Sequence, residues 1–507
     1  MKKLIGWLKW IDNNLIHIFL TVFIFLIPLY PKLPFSRVEY TYIHIRLEDL
    51  FMAVFYFVAF VQFVRKKFHL KPKFLLLFGL FWAAVLASYV IGFYFQQTIR
   101  INQVGLLHAL RRIEYMAVFF IAASLIDSKK RFFYYLKLFL VSVLLVGLYG
   151  LGQRFFGWPA VQTMNAAYAR GMILYLTPEA RISSTFGGHF DLAVFIIFTI
   201  PIILGYYFHE NKKRYFGLFV LALIILLYTA SRSSFAAYVV SVTLFLLLNK
   251  KWFAWILVGL LTAGLLYVTG DLSKRLLQTI QIKQVYVNEE TGSFVIGQKI
   301  DPKNLPAGGF AISELKSKKK LTEEEARKLQ EQVLRIAQEQ ALAEAQEKGR
   351  KLTQQGLAKR SQQIAAFINP EKKILCDISC STRIQIEWPR AIAAFSYNPI
   401  IGTGPSSITE ATDNDYLRWL GELGLVGTFL FLAILFSIVK YIIKSFKKFS
   451  KEEKYIFSGY LFGLLALLIN ATYIDVFEAS KVAYTFWAVT GLFIGFTHLS
   501  YEKNKRK

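Results

Sequence analysis

Apolar residues in this chain come as long uninterrupted runs rather than as one-sided stripes. A helix needs about 20 largely apolar residues to cross a hydrocarbon core of about 30 Å. Runs of roughly that length lie at 14–31, 49–64, 74–95, 105–126, 132–153, 190–208, 215–231, 234–249, 252–269, 423–443, 455–474 and 480–499. The pattern predicts an all-α, polytopic transmembrane helical bundle with about twelve spans.

The connections between the runs alternate in character. Arg65, Lys66, Lys67, Lys71 and Lys73 fill one; Lys129, Lys130 and Arg131 another; then come Lys212, Lys213 and Arg214, then Lys250 and Lys251. The last is the cluster from Lys444 to Lys454, and Lys503, Lys505, Arg506 and Lys507 follow the final run. Every second connection is lysine-rich, which under the positive-inside rule places both termini in the cytoplasm. Lys2, Lys3 and Lys9 precede the first run without a small-residue cleavage site, so that run reads as a signal anchor. The outer side then receives 32–48, 154–189 and 270–422. Three regions follow: 1–269 with helices one to nine, an extracytoplasmic loop region over 270–422, and 423–507 with the last three helices and a basic tail. Inside the large loop, Thr322 and Glu325 form a capping box. The strong helix formers from there to about Ala366 predict a long or broken surface helix over 322–366.

Composition supports the membrane and narrows the partners. Of 507 residues, 55% are hydrophobic and 16% aromatic, more apolar surface than a soluble chain of this length can hide. The net charge of +27 would suggest nucleic acid in a soluble protein. Here the cations sit in short loops facing anionic lipid. No basic stripe with interleaved aromatics lies outside the apolar runs, which argues against nucleic acid. The two cysteines, Cys376 and Cys380, fall on the outer side, where a small disulfide is favoured over two free thiols. They cannot build a thiolate metal cage by themselves.

Four polar blocks fall at the outer ends of the runs. Arg181 through Asp191 joins a cation, hydroxyls, Gly187, Gly188 and His189 at a helix start, where free N–H groups favour an anion; ordinary N-capping explains only one of these residues. Ser231-Arg232-Ser233-Ser234 squeezes an arginine between two spans, where it either faces a polar cavity or snorkels to headgroups. Arg383, Trp388 and Arg390 precede Asn398, Pro399 and Gly402-Thr403-Gly404, a tight backbone passage. Asp413-Asn414-Asp415-Tyr416-Leu417-Arg418 places two carboxylates two residues apart, as a general base or as a charged helix cap. Arg111, Arg112 and Glu114 add ionisable groups inside the fourth run, for function or for structural pairing.

These blocks resemble the O-antigen ligase/polymerase family of bacterial membrane glycosyltransferases. The resemblance rests on Ser184–His189, Ser231–Ser234, and Asn398–Gly404 followed by Asp413–Leu417, in that order and on one side. It implies a metal-independent, cofactor-free, inverting transfer from a polyprenyl-diphosphate-linked oligosaccharide to a hydroxyl of a glycan, lipid or protein acceptor. The reaction would take place at the outer face of the cytoplasmic (inner) membrane. Arginine suits a diphosphate because its fork binds two phosphate oxygens at once. Arg181 and Arg232 are therefore the leading diphosphate ligands, with Arg383 and Arg112 behind them. Asp413 and Asp415 are the catalytic candidates, with His189, Asn414 and Tyr416 as substrate contacts. Where many family members carry His before Asn in the last block, this chain carries Asp413, which leaves the base assignment open and leans toward polymerase over lipid-core ligase. The competing class is a transporter or a flippase of lipid-linked oligosaccharides; such proteins place charges near the midplane of two repeated halves, and neither feature is present in the sequence.

Overall fold

A helix stands at each of the twelve apolar runs. In chain order they are α1 (Lys2–Leu29), α2 (Leu47–Val64), α3 (Leu75–Val90, prolonged by a wide turn to Phe95), α4 (Asn102–Ser124), α5 (Lys129–Phe155) and α6 (His189–Glu210). Then come α7 (Lys213–Thr229), α8 (Arg232–Leu248) and α9 (Trp252–Thr269). In this computed structural model the described residues are 2–37, 44–163, 172–177, 180–270, 272–273, 275, 280–288, 294–296, 310–314, 323–347, 353–376, 378–408 and 411–505. Among them, eight helices are long and apolar enough to cross a membrane. The other four of the twelve are shorter or carry charges within the helix. Length and composition alone therefore support eight spans rather than the twelve expected. The protein is an integral membrane protein, with large apolar side chains such as Phe57, Leu76, Phe253 and Phe429 facing outward as lipid requires.

The chain divides into two units, Met1–Ser273 with Glu387–Lys507, and Lys274–Ile386. The second contains a four-stranded antiparallel sheet in the order β2 (Phe294–Ile296), β1 (Ile280–Asn288), β4 (Ile368–Cys376), β3 (Phe310–Glu314). Beside it lie α10 (Glu323–Glu347) and α11 (Gln354–Ala365), which pack through Ile336, Ala337, Ala341 and Ile364. The expected surface helix is thus two helices. Thr322 of the capping box lies outside the described residues. The sheet is absent from a purely helical reading of 270–422. Yet Ile280-Gln281-Ile282-Lys283 at the start of β1 alternates apolar with polar, as a strand does.

In the first unit, after α12 (Trp388–Tyr397), come α13 (Asp415–Ser445), α14 (Lys451–Asn470) and α15 (Ser480–Lys505). Helices α6 and α15 are the most buried spans. Each meets a partner backbone through a pair of glycines four residues apart. Gly459 and Gly463 of α14 press on Pro201 and Phe198 of α6, and Gly491 and Gly495 of α15 press on Phe119 and Ala123 of α4. Small residues at that spacing let helices approach closely in lipid, where packing rather than the hydrophobic effect drives association. A Cβ at any of the four would strike a carbonyl oxygen.

The lysine-rich connections gather at one end of this unit. Lys71 Nζ donates to Ile126 O at 2.7 Å, Lys129 meets Glu453 at 2.6 Å, and Lys137 meets Glu210 at 3.2 Å. Lys251 lies over the Tyr455 ring at 4.7 Å, and Asn249 donates to Ser458 Oγ at 2.8 Å. The four polar blocks point the other way along the helices. Helix α8 runs from Arg232 at the block end to Asn249 at the lysine-rich end, and α14 runs back to Asn470.

Candidate functional site

The block end is organised around one short connection that carries no motif, residues 470–481 between α14 and α15. Asn470 Nδ2 donates to Ser234 Oγ at 3.1 Å, which holds the start of α8. The Asp415 N–H donates to Ala471 O at 2.9 Å, and Asn414 Nδ2 donates to Thr472 O at 3.0 Å. The Asp475 carboxylate accepts from the backbone of Thr412 at 3.0 Å and of Asn414 at 3.2 Å, and meets Arg418 Nη2 at 3.3 Å. Val476 and Phe477 donate their N–H groups to Asp415 Oδ2 at 2.7 and 3.2 Å. Glu478 pairs with Arg112 at 2.7 Å. Lys481 Nζ donates to the carbonyls of Pro28, Tyr30 and Thr185 at 3.2, 2.5 and 2.7 Å. Twelve residues thus tie together the ends of α1, α8 and α13, the middle of α4 and the turn before α6.

Within that frame the acidic block divides. Asn414 caps α13 by accepting from the Leu417 N–H at 3.0 Å, so the helix begins at Asp415, eight residues before the expected Leu423. Asp413, just ahead of the cap, adopts φ +48°, a left-handed conformation that Asp tolerates better than most residues. That turn leaves Asp413 half-buried and sends Asp415 inward to 0% exposure. The Tyr416 hydroxyl donates to Leu468 O at 2.9 Å. Asp415 and Asn414 therefore fasten α13 to the connection and Tyr416 fastens it to α14, whereas Asp413 stands at the edge of the site.

The arginines divide in the same way. Arg112 is buried and bound to two carboxylates, Glu422 and Glu478. Glu422 Oε1 also accepts from the Ser406 N–H at 3.1 Å. Arg418 is equally buried and held by Asp475 and Thr412. Removing Arg112 would leave the buried Glu422 without its ion pair, the costly way to break such a network. Arg232 is the first residue of α8 and half-buried. It follows Ala230, whose φ of +49° turns the chain between α7 and α8. Arg181 is half-buried, 2.5 Å from His189 Nε2 and 6.0 Å from the Phe190 ring. Arg383 belongs to the other unit, where it donates to Ser379 O at 2.7 Å. Cys380 is disulfide-bonded, and the Cys376 side chain lies outside the described residues.

The first block is pinned from behind. Gln153 accepts from the N–H groups of Ser183 and Ser184 at 3.3 and 2.7 Å and donates to Ser184 O at 2.8 Å. Thr185 Oγ1 donates to Pro28 O at 2.6 Å. Lys32 lies 3.7 Å from Asp191. Burial pushes its ammonium below the ordinary lysine value, and Asp191 offsets part of that.

The third block closes on α13. The N–H groups of Thr403 and Gly404 donate to Gly421 O and Glu422 O, both at 2.9 Å. Those of Leu425 and Val426 donate to Pro399 O and Ile400 O at 2.8 and 3.1 Å. The exchange is possible because Gly424 breaks α13 with φ +64° and ψ −167°, a backbone region open essentially to glycine alone. Finally, a groove of about 260 Å³ between α8 and α9 is walled by Phe235, Tyr238, Val242, Trp255 and Leu266. It begins one turn beyond Arg232.

Asp475, Glu478, Lys481, Glu422 and Lys32 are not foreseen as site residues. Charges at the edge of an apolar run were the available signal.

Residues 217–432 match the family model described as O-antigen ligase. The match includes the second, third and fourth blocks and begins after the first. A comparison with curated proteins finds no match. Over those residues the chain resembles the O-antigen ligase family, membrane enzymes that transfer glycans.

Proposed function

We propose that this chain acts as an O-antigen ligase family member and transfers a glycan from a polyprenyl-diphosphate carrier to an acceptor hydroxyl at the block end of the bundle. The acceptor oxygen attacks the anomeric carbon of the donor sugar and the bond to the diphosphate oxygen breaks, with inversion. The hydroxyl proton passes to the Asp413 carboxylate. Arg232 meets the charge that grows on the departing diphosphate, and Arg181 supports it. Such preorganised cations are worth most where charge develops during reaction. Arg112 and Asp415 become structural members of the site, since Arg112 is held by two carboxylates and Asp415 Oδ2 accepts from two backbone N–H groups, although Arg112 Nη1 and Asp415 Oδ1 are buried without a hydrogen-bond partner. Arg383 stays a lesser candidate for the diphosphate. The α8–α9 groove offers the prenyl chain an apolar path from Arg232. The block end would face the outside of the inner membrane, because the lysine-rich end suits the cytoplasmic surface.

One observation carries this reading. Ser234 binds Asn470 and Asn414 binds Thr472, so the block that carries Arg232 and the block that carries Asp413 are both tied to the start of the same connection. That shared anchorage of two separate motif blocks supports the reading.

The test is reconstitution of the purified protein with a polyprenyl-diphosphate oligosaccharide, without added metal, followed by a gel of the products. A ladder of glycan lengths identifies a polymerase, and a single shift that requires an added lipid or protein acceptor identifies a ligase. Arg232→Ala and Asp413→Ala should each lower the rate by roughly 10²–10³-fold, in line with loss of one electrostatic or one acid–base group, with thermal stability retained. Donor left intact under every acceptor by folded protein refutes the transfer. Movement of intact donor across the bilayer would then establish a flippase.

A further inference from the structure

At the opposite end of the bundle lies a second cavity, of about 600 Å³, unrelated to the glycan-transfer residues. Its floor is the α2–α3 connection and its wall the α4–α5 connection, with α1 and α15 closing the sides. Helix α15 fixes its distance from the site. Lys481 and His498 are 17 residues apart on that helix, about 26 Å at 1.5 Å per residue.

The lining is cationic. Lys67, Lys71, Lys73 and Arg131 face it, against one carboxylate, Asp127, which is paired with Arg131. Lys67 is held by Asp12 and Asn13, Lys71 is half-buried and Lys73 is exposed. Lys71 is fixed by its donation to Ile126 O at 2.7 Å while its own N–H donates to Ser124 Oγ at 2.8 Å. Lys73 lies over the Tyr441 ring at 4.4 Å, a contact that orients the ammonium and leaves its charge intact. His17, bound to the Tyr135 hydroxyl at 2.6 Å, and His498 add ring nitrogens. Phe68, Leu70, Pro72 and Leu125 form an apolar rim beside them.

We propose that this cavity binds a phosphate-bearing anion, with an anionic phospholipid headgroup as its occupant. Cations converging on one open cavity between span ends match a phosphodiester, and the apolar rim matches the glycerol and first methylenes that accompany it. Basic pockets of this kind between spans take acidic headgroups, each Lys or Arg near the surface contributing about a factor of five. The site joins the α2–α3 and α4–α5 connections through one ligand, at the level where Arg65 and Lys67 already clamp Asp12.

The test uses the full chain in nanodiscs of phosphatidylcholine with a minor fraction of phosphatidylglycerol, read by native mass spectrometry of retained lipid. A parallel arm titrates inorganic phosphate in detergent, read by thermal unfolding. Lys71→Gln/Lys73→Gln should lose phosphatidylglycerol retention by roughly thirtyfold. Lys213→Gln/Lys250→Gln, which removes two exposed lysines elsewhere at the same end, should retain it. Protection by inorganic phosphate that disappears only in the cavity variant would assign the same site to a soluble phosphate. Equal loss in both double variants, or no preference for either anion in the wild type, overturns the proposal. Lys71→Arg/Lys73→Arg keeps the charge and should restore binding, which separates anion recognition from a folding defect.

Discussion

Gly424→Ala tests the claim that the third block and α13 are one assembly. The backbone at 424 has φ +64° and ψ −167°. A Cβ there would strike the Ile400 carbonyl and the Gly402 N–H. Holding a non-glycine residue in such a region costs about 1–3 kcal/mol, and forcing one carbon into a packed site adds about 1–3 kcal/mol. The total, roughly 2–6 kcal/mol, falls on the junction where Leu425 and Val426 bond to Pro399 and Ile400. Relaxation by opening that junction would release Thr403 and Gly404 from Gly421 and Glu422 and shift Arg112 through Glu422. The assay is thermal unfolding in detergent followed by tryptophan fluorescence, paired with glycan transfer at a temperature where the variant is folded. Gly79→Ala is the control, since a Cβ there meets nothing within 4 Å on a lipid-facing helix. It should be neutral or stabilising by up to about 1 kcal/mol. Gly424→Ala should unfold several degrees lower and transfer more slowly even when folded. Equal midpoints and equal rates for the two variants would refute the coupling.

Further outcomes follow from the same contacts. Arg112→Ala strands Glu422 and Glu478 and should cost about 3–5 kcal/mol, whereas Arg112→Met combined with Glu422→Gln and Glu478→Gln should recover much of the midpoint in thermal unfolding. Asp415→Ala should lower both folded yield and midpoint, while Asp413→Ala lowers only the transfer rate; the reverse pattern would exchange their roles. Lys481→Met should release the carbonyls of Pro28, Tyr30 and Thr185 and expose the α1–α2 connection to protease, read by limited proteolysis in nanodiscs. Because burial lowers the Lys32 pKa, the unfolded chain holds the extra proton between that lowered value and about 10.5. Stability owed to Lys32 therefore rises with pH across that window. The midpoint difference, wild type minus Lys32→Met, should become more favourable to wild type from pH 7 to pH 10, and a flat difference would contradict the burial.

The bundle was legible because apolar length is a one-dimensional property, and each run forms a helix where it lies. The blocks were legible as blocks because glycines, hydroxyls and arginines at the edge of a span are costly without a purpose. Their internal division was not. Asp413 and Asp415 look alike in sequence, but a left-handed turn at Asp413 and a cap at Asn414 leave one half-buried at the edge of the site and send the other into the connection. Arg111, Arg112 and Glu114 left function and structural pairing both open in sequence, and Glu114, two residues from Arg112, points away from it on the helix. The real partners of Arg112 lie 310 and 366 residues away. The connection itself was hidden because Asp475 and Glu478 resemble ordinary loop acids, and Lys481 resembles a lysine reaching for water at the end of a span. The strands of the second unit were masked by the charged segments around them.

The lateness of that connection in the chain has a consequence for biogenesis. Synthesis delivers residues from the N-terminus at about 5–20 per second, so helices α1 to α13 emerge before Asn470 exists. During that interval the start of α8 lacks Asn470, the start of α13 lacks Ala471 and Asp475, and Arg112 lacks Glu478. The block end is therefore an assembly awaiting its last component, and the nascent protein should remain unable to transfer glycan until its final helical hairpin has inserted. A chain halted after α13 should integrate into the membrane and stay inert, and supplying α14 and α15 as a separate polypeptide should switch it on.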